Sequence, residues 1–152
     1  MRTGYHEWQL HKAAVVALRS RDPSTKCGAV IVRPDKSVCS EGYNGFPRSM
    51  EDREEWYNNR AEKYDRVIHA EMNAILAAKE SVVGYTIYGT GPTCKECAKH
   101  IIAAGITRVV WPYKLNPQQV DWADRQKDNH FRAQQLYADC GVEVLIIGEP
   151  DF

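Results

Sequence analysis

Four residues in two short stretches have the types and spacing for chemistry. Cys94 and Cys97 stand three apart in GPTCKEC, and His69 and Glu71 stand two apart in HAEMNAI. A Cys-x-x-Cys pair serves a redox couple, a structural zinc or a catalytic zinc. The redox reading wants the pair early, after a first strand, and here five elements precede it. A structural zinc wants four protein ligands, usually with a second Cys/His pair at close spacing. The other cysteines, Cys27, Cys39 and Cys140, are isolated, and there is no second CxxC and no HxxxH. What remains is a site of three protein ligands and an open fourth position, the pattern of a catalytic zinc. His69 is the best third ligand. The HAE spacing is not the HExxH of zinc proteases. Two residues turn a helix by about 200°, so His69 and Glu71 would diverge in mid-helix. At a first turn they can flank one water at the metal, with His69 holding zinc and Glu71 handling protons. A helix starting at Cys94 favours thiolates through its partial positive N-terminus.

Those residues need elements to position them. Tyr5 to Arg19 reads as an amphipathic helix with Tyr5, Trp8, Val15, Val16 and Leu18 on its apolar side, ended by RDPST, where Pro23 forbids continuation. CGAVIV and KSVCSEGY read as strands joined by an RPDK hairpin turn. GYNGFP, from Gly42 to Pro47, is a tight loop. The polar stretch from Arg48 to Val67 is long for a loop and contains helix. HAEMNAILAAKE is a helix by propensity, GYTIYGTG a strand and turn, and CKECAKHIIAAG a helix closed by Gly105. ITRVVWP is a strand, VDWADRQKDNHFRAQQLYADCG a largely helical stretch ending at Gly141, and VEVLII a last strand. The order is α-β-β-α-β-α-β-α-β. It predicts a three-layer α/β/α domain over residues 1–152, with a mixed sheet of about five strands. Such sheets bind ligands beyond the carboxyl ends of their strands, and GTGPTCKEC lies at one such end.

The bulk composition narrows the partners. The chain carries 20 basic and 20 acidic residues among 152, whereas a polynucleotide binder usually shows a basic excess. A small charged ligand needs only a few placed cations. No stretch reads as a signal peptide or a membrane span, so a cytoplasmic protein is expected, or one in the host cytoplasm if a virus encodes it. The odd cysteine count speaks against a disulfide framework.

HAE followed by Pro92, Cys94 and Cys97 resembles the zinc-dependent cytidine deaminase superfamily, whose signature is H-x-E…P-C-x-x-C. Within it, HAEMNAI, STKCGAVIV, GYNGFP and CAKHIIAAGI are most similar to the deoxycytidylate (dCMP) deaminases. The resemblance spans roughly residues 8–147 by motif placement. It implies the cytidine-deaminase-like fold and hydrolytic deamination of dCMP to dUMP, with a single catalytic Zn2+ per chain. Glu71 would take a proton from water at the metal and return it to N3 and the leaving amine. It implies substrate contacts from Asn44 to the deoxyribose, from Ala70 and Pro92 to the base, and from Thr25, Lys26 and Tyr113 to the phosphate or base edge. Arg21, Lys26, Arg48 and Lys114 all qualify as the cation for the 5′-phosphate. It further implies a homo-hexamer activated by dCTP and inhibited by dTTP, with Mg2+ accompanying the triphosphate. Gly42, Tyr43, Asn44 and Gly45 would then belong to the effector site, beside the insert from Arg48 to Arg66. A plain turn explains Gly42 and Gly45 as well, and a solvated face explains the insert's mixed charge.

Two other readings compete, a tRNA adenosine deaminase and a zinc-stapled interaction domain without catalysis. Only the last has no use for Glu71. Thr93 departs from the family's Pro-Cys junction, so a bulge, strain or altered base contact is expected at Pro92 and Thr93. His6, His11, His100 and His130 read as surface or helix-face residues. Cys27, Cys39 and Cys140 read as small buried apolar groups, and Trp8, Trp56, Trp111 and Trp122 as packing or interface residues.

Overall fold

A computed structural model describes residues 1–148. Its strands are β1 (Gly28–Val32), β2 (Val38–Tyr43), β3 (Thr86–Gly89), β4 (Arg108–Pro112) and β5 (Glu143–Ile147). They form one sheet in the order β2-β1-β3-β4-β5. β1 is antiparallel to both β2 and β3, while β3, β4 and β5 run parallel. The opening hairpin turns where Lys36 takes φ 76° and Asp35 Oδ1 accepts the Ser37 amide at 3.0 Å. The parallel strands are joined through helices, as parallel pairing requires.

The helices are α1 (Tyr5–Ala17), α2 (Glu54–Asn58), α3 (Arg60–Arg66), α4 (Ala70–Ala77), α5 (Lys95–Ala103), α6 (Pro117–Arg125) and α7 (Lys127–Asp139). β1 is buried along its whole length, and its alternation serves two cores. Val30 and Val32 pack with Ala13, Tyr88 and Val110 under α1. Ala29 and Ile31 face Ala70, Ala74, Ala98, Ile101, Ala133 and Tyr137 of α4, α5 and α7. That is the expected three-layer α/β/α architecture with a mixed five-stranded sheet.

Both sequence-local helices on β1 and β2 sit closer than large side chains would allow. A Cβ on Gly28 would lie 2.1 Å from the Ala13 carbonyl oxygen, and one on Gly42 would lie 2.3 Å from the Ala74 amide nitrogen. This close approach corrects the reading of α1. Its buried face is Gln9, Ala13 and Ala17, and Trp8, Val15 and Leu18 are exposed. Small side chains at Ala13 and Ala17 let the helix settle on the strand at Gly28, so hydrophobicity alone misread the face. It also recasts Gly42, which ends a strand against α4 rather than making a turn.

The long C-terminal helical stretch is two helices. Asn116 caps α6 by accepting the Gln119 amide at 3.0 Å, with Pro117 in the first turn. Gln126, at φ −103° and ψ 8°, breaks the run before α7. α6 meets the loop after β3, where Gly91 lies against Gln119 and Trp122 and Gln119 Nε2 donates to Thr90 Oγ1 at 3.0 Å.

Candidate metal centre and substrate cavity

Two helix starts meet beyond β3. His69 is the N-cap of α4 and Cys94 the N-cap of α5, both in extended backbone. Each residue is thus held half inside its helix with its side chain free of the helical face. His69 Nδ1 lies 3.2 Å from Cys97 Sγ and 3.4 Å from Cys94 Sγ. The three donor atoms all fall within 4.8 Å of one another, and they are the one such cluster among the described residues. With Zn–S near 2.3 Å and Zn–N near 2.0 Å, a tetrahedral ion needs donor separations of about 3.5 Å. The donor set and its spacing fit zinc.

The proton inventory of the cluster is already half-way to a metal site. The Cys97 thiol donates to Cys94, which pulls the Cys94 thiol well below its ordinary range, helped by His69. Cys94 Sγ also accepts the Cys97 amide at 3.4 Å at the start of α5. Cys97, as the donor and buried, is pushed up. The imidazole of His69 is held up by its hydrogen bond to Cys94, against burial. Glu71 is buried, and that burial pushes its carboxyl up against the pull of His69. A carboxyl raised in this way accepts a proton more readily than an ordinary one.

These groups floor a cavity of about 270 Å³. Ala70, Glu71, His69, Cys94, Pro92 and Cys27 form its base. Asp22, Ser24, Thr25 and Asn44 form one wall. The rest of the lining is Tyr57 and Asn58 of α2, Arg60, Lys63, Tyr64 and Val67 from α3 and its end, and Trp122 and Arg125 of α6. Asp22 organises the first wall. It is 1% exposed, and a carboxylate so buried must be paired. Its Oδ1 accepts the amides of Ser24 at 2.8 Å and Thr25 at 3.2 Å, and its Oδ2 meets Lys63 Nζ at 2.8 Å.

The expected site residues divide. His69, Ala70, Glu71, Pro92, Cys94, Thr25 and Asn44 all border the cavity, and Cys97 stands behind it within reach of His69. Asn44 does so with its amide turned inward. Oδ1 accepts the Cys27 amide at 2.8 Å, and Nδ2 donates to the Thr25 carbonyl at 2.9 Å and to Asp22 Oδ2 at 3.4 Å. Lys26 and Tyr113 do not border the cavity. Lys26 Nζ donates instead to the Ser20 carbonyl, on the far side of the 20–26 loop, and Tyr113 is exposed. Arg21 pairs with Asp52 at 3.4 Å, and neither it nor Arg48 nor Lys114 reaches the cavity. Among the effector candidates, Gly42 is pinned under α4, Gly45 bridges Ile68, and Tyr43 is exposed.

Several outcomes revise the sequence reading. The cations on the cavity are Arg60 and Lys63, from the insert read as an effector region or a solvated face, and Arg125, from the stretch read only as helical. Positions 60, 63, 64 and 67 share one helical face, as do 122 and 125, a spacing that a solvated face shows equally. Trp122 borders the cavity and packs on His130 at 4.9 Å between ring centres, and His130 is buried. Cys27 borders the cavity and Cys140 is exposed. Thr93 needs no strained backbone, since there is no cis peptide and no positive φ at Pro92 or Thr93. The additional residue turns inward, and its hydroxyl meets Tyr137 Oη at 2.7 Å in the core. Pro92 still borders the cavity.

Fold and site together define a class: a three-layer α/β/α domain with a zinc-type His/Cys/Cys triad and a buried carboxylate at the end of its sheet. The chain belongs to the family described as cytidine and deoxycytidylate deaminase zinc-binding region, which matches residues 4–112. It is 38% identical over 132 residues to an uncharacterized deaminase of Aliivibrio fischeri, covering 87% of this chain and 86% of that protein. It is 40% identical over 119 residues to the deoxycytidylate deaminase of Mus musculus, covering 72% of this chain and 67% of that one. The crystal structure of dCMP deaminase from the cyanophage S-TIM5 in apo form superposes with a TM-score of 0.69 at 25% identity, covering 97% of this chain and 100% of that one.

Proposed function

We propose that residues 1–152 form a single-domain zinc-dependent dCMP deaminase, which converts dCMP and water to dUMP and ammonia and so supplies dUMP for dTMP synthesis. The observation that carries the reading is Glu71, buried on the cavity floor beside the His69, Cys94 and Cys97 donors. A metal that only staples a fold has no use for a buried carboxylate there. The chemistry supplied by zinc, when held by His69 Nδ1 and the two cysteine sulfurs, is a water of lowered pKa as nucleophile for C4 of the base. Glu71 takes the proton of that water at its carboxylate oxygen. It passes that proton to N3, then takes the second from the hydroxyl added at C4 and passes it to the amine, which leaves as ammonia. Burial raises the Glu71 carboxyl and so favours the first transfer. Ala70 and Pro92 flank the ring, and Thr25 and Asn44 border the sugar side, with the Asn44 amide bracing that wall.

The reading extends to regulation. A homo-hexamer activated by dCTP and inhibited by dTTP, with Mg2+ on the effector triphosphate, is proposed from the likeness to deoxycytidylate deaminases. Tyr43, exposed between two fixed glycines, is the part of the GYNG loop open to an effector or a second subunit. The substrate is a free nucleotide in the cytoplasm, of the host if the protein is viral, and not a base in a polynucleotide. No described helix is long and apolar enough to cross a membrane.

The test is ammonia release from dCMP, CMP, dCTP, cytidine and a tRNA substrate, with dCTP or dTTP added to the dCMP arm. Turnover confined to dCMP supports the reading. Release from the tRNA alone would replace it, and kinetics indifferent to both triphosphates would remove the regulatory part.

A further inference from the structure

We propose that Arg60 and Arg125 are the pair that reads the 5′-phosphate of the substrate, one from the insert and one from the end of α6. The inference rests on the nucleotide reading of the cavity. Three cations border it, and they are not equivalent. Lys63 is committed to Asp22, with Nζ 2.8 Å from Oδ2 and a side chain only 15% exposed. Arg60 and Arg125 have no hydrogen-bond or ion-pair partner among the described residues, although the chain carries as many acidic as basic residues. The cavity's two carboxylates cannot serve them. Asp22 is saturated by Lys63 and two backbone amides, and Glu71 lies on the buried floor. The unmatched charge of the cavity therefore belongs to two guanidinium groups.

Their position suits a phosphate. The floor at Glu71 and Ala70 is buried, while Arg60 and Arg125 are exposed at the mouth. A nucleotide with its base on the floor directs its dianionic group outward, where it stays partly hydrated. Two planar donors from different helices can take separate phosphate oxygens. Arg125 shares a helix face with Trp122, and Arg60 with Lys63 and Tyr64, so each arginine rides on a face already turned toward the cavity. The Asp22–Lys63 pair plays a different part. It ties α3 to the loop that carries Thr25 and Asn44, which serve the nucleoside and not its phosphate.

The test compares dCMP with deoxycytidine as substrates, and dUMP with deoxyuridine as ligands in calorimetry, for wild type, Arg60→Ala, Arg125→Ala, Arg60→Lys and Lys63→Met. A charge-assisted hydrogen bond corresponds to roughly ten- to a hundredfold in affinity. Each alanine variant is expected to lower the preference for dCMP over deoxycytidine by that factor, mainly through KM, with zinc content unchanged. The same factor should appear in dUMP binding and not in deoxyuridine binding, and Arg60→Lys should restore part of it. Lys63→Met should weaken phosphorylated and unphosphorylated ligands alike. Unchanged preference in both alanine variants, or equal losses with and without the phosphate, would overturn the assignment while leaving an active wild type as a dCMP deaminase. A wild type that releases no ammonia from dCMP would instead overturn the functional reading itself.

Discussion

The floor and the mouth of the cavity are built on opposite plans. The floor comes from two helix starts sunk in the core: Ala70 and Ala74 of α4 and Ala98 and Ile101 of α5 are fully buried. Its donors are fixed by backbone that cannot move without opening the sheet layers. The mouth comes from short helices, α2 and α3, and from the break after α6, and its two arginines, Arg60 and Arg125, are exposed. Buried groups are costly and must be satisfied, so they suit proton transfer and metal binding. Exposed charged groups adjust cheaply and suit recognition. Chemistry and selection are thereby separated in one cavity, and the separation can be tested.

The largest effect is expected from the floor. Cys97→Ala or His69→Ala should abolish both zinc content, read by atomic emission, and ammonia release; a variant that kept metal and turnover would break the assignment of the triad. Glu71→Gln comes next. It should lower kcat by about 10²- to 10⁴-fold, the usual worth of a positioned acid–base group, with zinc content kept. Turnover near wild type would move proton transfer to another residue. Changes at the mouth should be smaller and confined to phosphorylated ligands, as set out above for Arg60 and Arg125.

Two further comparisons sharpen the boundary in stability alone. Gly42→Val should cost about 2 kcal/mol or more in thermal or urea unfolding, because the new side chain would meet the α4 backbone. Gly45→Ala, three residues on, should stay within about 0.5 kcal/mol, since a Cβ there meets nothing nearer than Tyr57 Oη at 3.9 Å. Equal effects at the two glycines would refute the packing argument. The smallest effect is expected from Thr93→Val, about 1 kcal/mol, for removing the partner of the buried Tyr137 hydroxyl. No change in kcat should accompany it, since the Thr93 side chain faces the core.

Much of the floor was legible from spacing. A Cys-x-x-Cys after a strand and a His-x-Glu at a helix start leave few chemical options, and helix caps place those residues locally. The strands were legible because β-branched runs between turn residues have little other use. The face of α1 was misread because packing against Gly28 rewards small side chains, and hydrophobicity scales do not register closeness. The mouth was missed because charged residues at i, i+3, i+4 and i+7 look the same whether they face water or a cavity. Lys26 and Tyr113 stood near the motifs in sequence, but the 20–26 loop turns the Lys26 amine toward Ser20.

By itself, then, the sequence determined the five strands and the His69/Glu71 and Cys94/Cys97 pairs, because each depends on spacing within one helix turn or one strand. Only the tertiary structure decided which cations border the cavity, that Asn44 spends its amide on Cys27, Thr25 and Asp22, and that Thr93 turns into the core. Those outcomes depend on contacts between segments tens of residues apart. Burial and pairing at such distances are set when the layers close, and no local pattern carries them.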